Sequence, residues 1–130
     1  MILLDTHVVI WLAQDYQRIS ARAQSEIEEG RKKDRCLAIS DISLVEIARL
    51  ASHGRIQLTP DVGTVLLEVE RRFIVLPITA NIALRAFDLP AGYPNDPADR
   101  IIGATALVEG LTLVTADAQI RRSRAVPTVW

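Results

Sequence analysis

The stretch MILLDTHVVIWLA, residues 1–13, decides how the rest of the chain reads. Its first four residues, Met1–Leu4, fit a short buried strand, and the apolar spacing over 7–14 fits a helix. Between the two stands Asp5, followed by Thr6 and His7. A lone carboxylate among aliphatic side chains is costly unless it is paired or bound. Neither a helix cap nor a nearby cation accounts well for Asp5 in the sequence, so the acid itself asks for a ligand.

The same strand-then-helix alternation recurs along the chain. CLAIS (36–40), FIVLP (73–77) and LTLVT (111–115) read as further strands, and VPTVW (126–130) offers a short last one. Helical patterns fall at about 7–14, 19–31, 41–52, 61–71, 79–88, 97–109 and 117–123. The strand runs are continuously apolar, as burial on both faces requires. The expected architecture is a three-layer α/β/α fold with a central parallel sheet of four to five strands. No repeat, low-complexity tract or Pro/Gly-rich linker divides the sequence, so residues 1–130 are expected to form one domain. Some boundaries carry their own chemistry. Gly54 is placed to stop the third helix, and Asp96 to cap a helix that begins with Pro97 and has Asp99 at its third position. Gly103, Ala104 and Ala106 give that helix small residues for close packing.

Composition narrows the function classes. Apolar residues make up 49% of the chain, and 15 Lys and Arg against 16 Asp and Glu leave a net charge of −1. The totals do not describe a strongly basic nucleic-acid binder, although two local clusters exist, RKKDR (31–35) and RRSR (121–124). The first reads as solvated surface, whereas the second follows Asp117 closely enough for phosphate contact. The single Cys36 has no partner for an internal disulfide and is expected in a buried strand. No basic region precedes the N-terminal apolar run, and no run reaches membrane-spanning length, so the expected location is cytoplasmic with no membrane association. Trp11 and Trp130 read as packing residues and His7 as an early helix residue.

Ligand crevices of open parallel sheets form beyond the carboxyl ends of the strands. Asp5 directly follows the first strand and Asp117 the fourth, while Asp99 and Glu46 lie near the starts of two helices. Singly, each has a plainer role: Asp117 and Asp96 as caps, Glu46 as an i,i+3 partner of Arg49, and Asp99 as a dipole-favoured acid or a partner of Arg100 or Arg85. Together they are more informative. Two like charges about 4 Å apart repel by roughly 4 kcal/mol at an effective dielectric near 20. Clustered carboxylates therefore need protons, cationic side chains or a metal, and the only lysines, Lys32 and Lys33, lie far along the chain from the predicted crevice. An all-oxygen ligand set favours Mg²⁺ or Mn²⁺.

LLDTHVVIWL, SLVEIARL, DPADRIIGATAL and LTLVTAD, in that order, resemble the PIN-domain ribonucleases, and within them the VapC-type toxins of toxin–antitoxin pairs. The resemblance runs over nearly the whole chain. It implies that Asp5, Glu46, Asp99 and Asp117 are the acidic metal-binding, catalytic quartet, with Asp5 and Asp99 the principal ligands of Mg²⁺ (or Mn²⁺). Asp96, Thr115, Thr6 and Arg100 match supporting positions, with Thr115 holding a bound water and Arg100 touching substrate or orienting a carboxylate. Two positions depart from the pattern, Asn95 where relatives often carry a basic residue and Val45 where an aromatic is usual; they bear on substrate choice and local packing. The implied activity is endoribonucleolytic hydrolysis of RNA by metal-activated water, leaving 5′-phosphate and 3′-hydroxyl ends. The implied partners are an RNA substrate, a VapB-type antitoxin and a second copy in a homodimer.

Other readings rank lower. A receiver-like signalling domain needs an acid pair after strand one and a late lysine, and the chain offers neither. A dinucleotide-binding fold needs G-x-G-x-x-G after that strand, which is missing. A metal-binding PIN domain acting only through partners and a structure-specific DNA nuclease share the acids and stay open.

Overall fold

The computed structural model describes residues 1–32 and 37–130. The Cys36 expectation, and residues 33–35 of the first basic cluster, lie outside the described residues. Five strands, β1 (Ile2–Leu4), β2 (Leu37–Ser40), β3 (Ile74–Leu76), β4 (Thr112–Val114) and β5 (Thr128–Val129), form one sheet in the order β3-β2-β1-β4-β5. Every neighbouring pair is parallel, with Leu3 opposite both Ala38 and Leu113 in the central register. The short run VPTVW does supply the fifth strand.

Alternation along the strands sorts the core into two layers. Leu4, Ile39 and Val114 point into one cluster with Val8, Val9, Ile19, Ile27, Ile47 and Val69. Leu3, Ala38 and Leu113 point into the other with Ile102, Ala106, Ile120 and Tyr93. The first face is thus covered by α1 (Thr6–Gln14), α2 (Ala21–Lys32), α3 (Ile42–Ser52) and α4 (Val62–Arg72). The second carries α6 (Pro97–Glu109) and α7 (Ala118–Ser123), with α5 (Ala80–Ala86) packed on α6 through Ile82, Ala86 and Ala104. Among the described residues no helix is long and apolar enough to cross a membrane.

Helix limits follow local chemistry. Asp61, Thr79 and Asp96 each accept a backbone N–H three residues on, and Pro97 opens α6 as expected. Gly54 and Gly110 take the left-handed conformation that closes α3 and α6. The helix expected from residue 19 instead begins at Ala21, because Ser20 Oγ accepts the Ala23 N–H at 3.1 Å and a 3-10 turn, Tyr16–Arg18, precedes it.

Close packing at Gly103 has a specific partner. A Cβ there would stand 2.6 Å from Cζ of Tyr93, a ring only 1% exposed. Tyr93 Oη donates to the Asp99 carbonyl at 2.7 Å, so the loop before α6 is buttoned onto the helix through the space that glycine leaves. Gly103→Ala is expected to destabilise by about 2 kcal/mol, the usual scale of overpacking. Chemical denaturation checks this; an unchanged midpoint would show that the ring relaxes freely.

Candidate functional site

The chain reverses its direction of travel across the sheet beside β1, since β2 and β3 lie on one side and β4 and β5 on the other. Such a reversal opens a crevice at the carboxyl edge of an open parallel sheet. Asp5 leaves β1 at this edge, and Thr115 and Asp117 leave β4 beside it. Because α3 follows β2, it starts from the same edge and carries Glu46 in its second turn. Because α6 must return to the opposite edge to enter β4, its first turn, with Asp99, also lies here.

Asp5 is 7% exposed, and each of its carboxylate oxygens accepts one hydrogen bond. Its Oδ1 accepts the Thr6 N–H at 2.8 Å and its Oδ2 accepts the Thr115 hydroxyl at 2.7 Å. Its own N–H donates to the Val114 carbonyl at 3.0 Å, and its carbonyl receives the N–H groups of Val8 and Val9. Asp5 is therefore the N-cap of α1, contrary to the sequence expectation that no cap explains it. The cap was hidden because the carboxylate bonds the first helical N–H rather than the second or third, where caps usually reach. The Thr115 hydroxyl also accepts the Asp117 N–H at 3.1 Å and so links two of the acids.

Glu46 has a matching arrangement. The Thr6 hydroxyl donates to Glu46 Oε1 at 2.5 Å and lies 2.8 Å from Ser43 Oγ. A hydroxyl has one proton; with Thr6 giving its own to ionised Glu46, Ser43 is the donor to Thr6. Ser43 and Thr6 are both essentially inaccessible to water. Glu46 thus bonds Thr6, and the alternative partner Arg49 forms no ion pair among the described residues.

Around Asp99 the backbone is held and the carboxylate is left open. Asp96 Oδ2 accepts its N–H at 3.3 Å, and Tyr93 holds its carbonyl. Arg100 does not face a carboxylate as expected. It donates to three carbonyls, Ala86 at 2.8 Å, Pro94 at 3.0 Å and Leu89 at 3.2 Å, and so fastens the segment before α6 to the helix. Arg85 pairs with Asp88 at 3.8 Å. Sequence reading missed Ser43 and Tyr93. An S-x-x-E spacing placing a hydroxyl one turn before Glu46, and a glycine inside a helix, were the available signals.

Electrostatics ties the acids together. Burial pushes the Asp5 carboxyl up, against the pull of its Thr115 and Thr6 hydrogen bonds. Burial also raises Glu46, with the charges of Asp5 and Asp96 adding to it. Asp99 is pushed up to about 7, by burial first and then by the charges of Asp5, Asp96, Glu46 and Asp117. None of the ion pairs among the described residues (Arg31–Glu28, Lys32–Glu29, Arg72–Glu68, Arg85–Asp88) neutralises them. Among the described residues these side chains do not already form a closed cage of three or more metal ligands. The donor chemistry is nonetheless that of a hard divalent cation: carboxylate oxygens that repel one another, with no Lys or Arg paired to them among the described residues and only His7 opposing their charge at Asp5 and Glu46. A pocket of about 730 Å³ lined by Val9, Leu12, Val65, Val69 and Phe73 contains none of these acids, so size does not mark the chemistry.

A match to the PIN domain family covers residues 2–125. The chain belongs to that family. Ribonuclease VapC22 of Mycobacterium tuberculosis (strain ATCC 25618 / H37Rv) is 40% identical over 131 residues, which cover 99% of this chain and 98% of the relative. At the level of fold, this PIN domain superposes on VapBC2 from Rickettsia felis bound to a promoter DNA fragment. The TM-score is 0.74 at 20% identity, covering 100% of this chain and 99% of that one. It likewise superposes on DNA-bound VapBC from Salmonella typhimurium with a TM-score of 0.73 at 21% identity, covering 99% and 98%.

The raised Asp99 makes a signed prediction for the metal-free PIN domain. Its folded pKa of about 7 exceeds the ordinary value of 3.8, so the folded state holds a proton that the unfolded state has lost between those limits. Stability from this group is full below 3.8 and declines as pH rises to about 7. Asp99→Asn, which cannot ionise, is expected to raise the melting temperature at pH 8 in EDTA and to match the wild type near pH 4. An equal gap at both pH values would mean that charge repulsion is not what Asp99 contributes.

Proposed function

We propose that this PIN domain is a divalent-metal-dependent endoribonuclease, the toxin of a toxin–antitoxin pair, in which Asp5, Glu46, Asp99 and Asp117 hold Mg²⁺ or Mn²⁺. The observation that carries this reading is the cluster itself. Asp99 is raised to about 7 by burial first and then by four neighbouring acids, none of which forms an ion pair among the described residues. The 40% identity to a ribonuclease over 99% of the chain supports the reaction class and RNA as substrate. A bound divalent cation would offset the phosphodiester charge and activate water for hydrolysis.

The chain's own residues prepare that site. Thr115 and the Thr6 N–H hold the two Asp5 oxygens in place, and the Thr6 hydroxyl engages only Oε1 of Glu46. Asp117 caps α7 through Oδ1, which accepts the Ile120 N–H at 3.0 Å, and so presents its other oxygen. Asp96 caps α6 and adds negative charge beside Asp99, a supporting role. Arg100 and Tyr93 act one step away by fixing the segment that leads into α6.

The reading includes a VapB-type antitoxin partner, supported by fold matches to VapBC complexes. It also includes a single domain working in the cytoplasm as a homodimer. Leu84 and Phe87, 75% and 78% exposed at α5, supply apolar surface suited to a second copy.

The test is incubation of purified protein with a mixed RNA pool in Mn²⁺, Mg²⁺ or EDTA, with Asp5→Asn in parallel. Cleavage is expected with either ion and absent in EDTA. The variant should lose at least about a hundredfold, since even outer-shell changes at metal sites cost roughly 10–100-fold. Mn²⁺ should also raise the wild-type melting temperature more than that of the variant. Cleavage that persists in EDTA, or in a folded Asp5→Asn protein, would overturn the assignment.

A further inference from the structure

The described basic residues are engaged in different ways. Arg31 and Lys32 pair on their own helix with Glu28 at 2.8 Å and Glu29 at 3.5 Å. Elsewhere Arg72 and Arg85 pair with acids, Arg100 is spent on carbonyls, and Arg18 lies over the Trp11 ring at 4.4 Å; Arg22, Arg49, Arg55 and Arg71 also make no ion pair among the described residues, but none belongs to a basic run that follows an acid of the crevice. Arg121, Arg122 and Arg124 are exposed and make no ion pair among the described residues. They sit on and just beyond α7, whose N-cap is Asp117 of the acidic crevice. Ile120 turns inward and anchors the helix, leaving the arginines on its water-facing side.

A second observation concerns Arg124. It has φ of 54° and is the one non-glycine residue with positive φ among those described. That left-handed position, at the end of a helix, ordinarily favours Gly or Asn. An arginine held there against its backbone preference points to a use for its side chain.

We propose that Arg121, Arg122 and Arg124 form a phosphate track that holds a single-stranded RNA beside the acidic crevice. This rests on the ribonuclease reading above. A crevice lined by carboxylates repels a polyanion everywhere except at its cation, so the strand must be held by positive charge next to the site. At 1.5 Å per residue, Arg121 lies about 6 Å along α7 from Asp117, roughly two stacked nucleotides away. The track contacts phosphate and not bases, so it serves affinity and direction rather than sequence choice.

Binding of a fluorescent single-stranded RNA, in EDTA so that none is cut, is measured from 50 to 200 mM KCl for wild type, Arg121→Gln/Arg122→Gln and Arg124→Gly. The double variant is expected to bind about tenfold more weakly at 50 mM KCl, with the salt slope reduced by about 1.4 for two lost contacts. Arg124→Gly relieves the left-handed backbone, so it should weaken binding without lowering the melting temperature. Both variants should keep the wild-type response to Mn²⁺ in thermal melts. Wild type that cleaves RNA while sharing one affinity and one salt slope with both variants overturns the track and leaves the ribonuclease reading standing. So does a loss confined to holding an acidic protein partner. Wild type that neither binds nor cleaves RNA overturns both.

Discussion

Burial of the Asp5 carboxylate is the constraint from which the crevice is built. The residue joins three elements at once: its N–H continues the sheet to β4, its carbonyl starts α1, and its side chain meets Thr115 from the far side of the chain reversal. A charge at 7% exposure would be hard to sustain alone. Two hydrogen bonds to its oxygens offset part of that cost, yet burial still dominates and leaves the group raised. Asp5 is thus held rigidly in a form ready to gain from a cation, rather than satisfied by the protein.

Two threonines repeat one device. Thr115 gives its proton to Asp5 and takes the Asp117 N–H; Thr6 gives its proton to Glu46 and takes that of Ser43. Each hydroxyl restrains one carboxylate oxygen without bringing in a positive charge. A lysine or arginine in either place would quench the charge that the site gathers. The neutral donor fixes geometry while leaving the electrostatic demand intact, which is how a site is kept selective for an external cation.

The sheet was legible because its strands are short, apolar and separated by helical periodicity, and the five runs appear where those patterns place them. Glu46 and Asp99 could be placed at one edge from topology alone, since α3 leaves that edge and α6 must start from it. What the sequence hid was pairing across long separations. Thr115 meets Asp5 across 110 positions, and Thr6 meets Ser43 across 37; neither contact leaves a local pattern. Arg100 misled for the converse reason. Adjacency to Asp99 suggested a shared task, but consecutive residues on a helix point about 100° apart, and Arg100 turns to the carbonyls of the preceding loop. The Asp5 cap was masked by its choice of the first helical N–H.

The arrangement also explains how a chain of net charge −1 can be built to handle a polyanion. Five of the acids, Asp5, Glu46, Asp96, Asp99 and Asp117, are drawn to one edge, where burial and the neighbouring carboxylates raise Asp5, Glu46 and Asp99. Several of the cations pair within helices or are consumed by backbone carbonyls. Charge that is nearly balanced in total is therefore concentrated locally at that edge, and local concentration is what a field near the surface reports. A metal bound at the crevice would reverse the sign of that field locally without altering the rest of the molecule. The same carboxylates that weaken the metal-free fold near neutral pH would then contribute stability in proportion to the ion's affinity, coupling folding to loading through groups the core could not have tolerated alone.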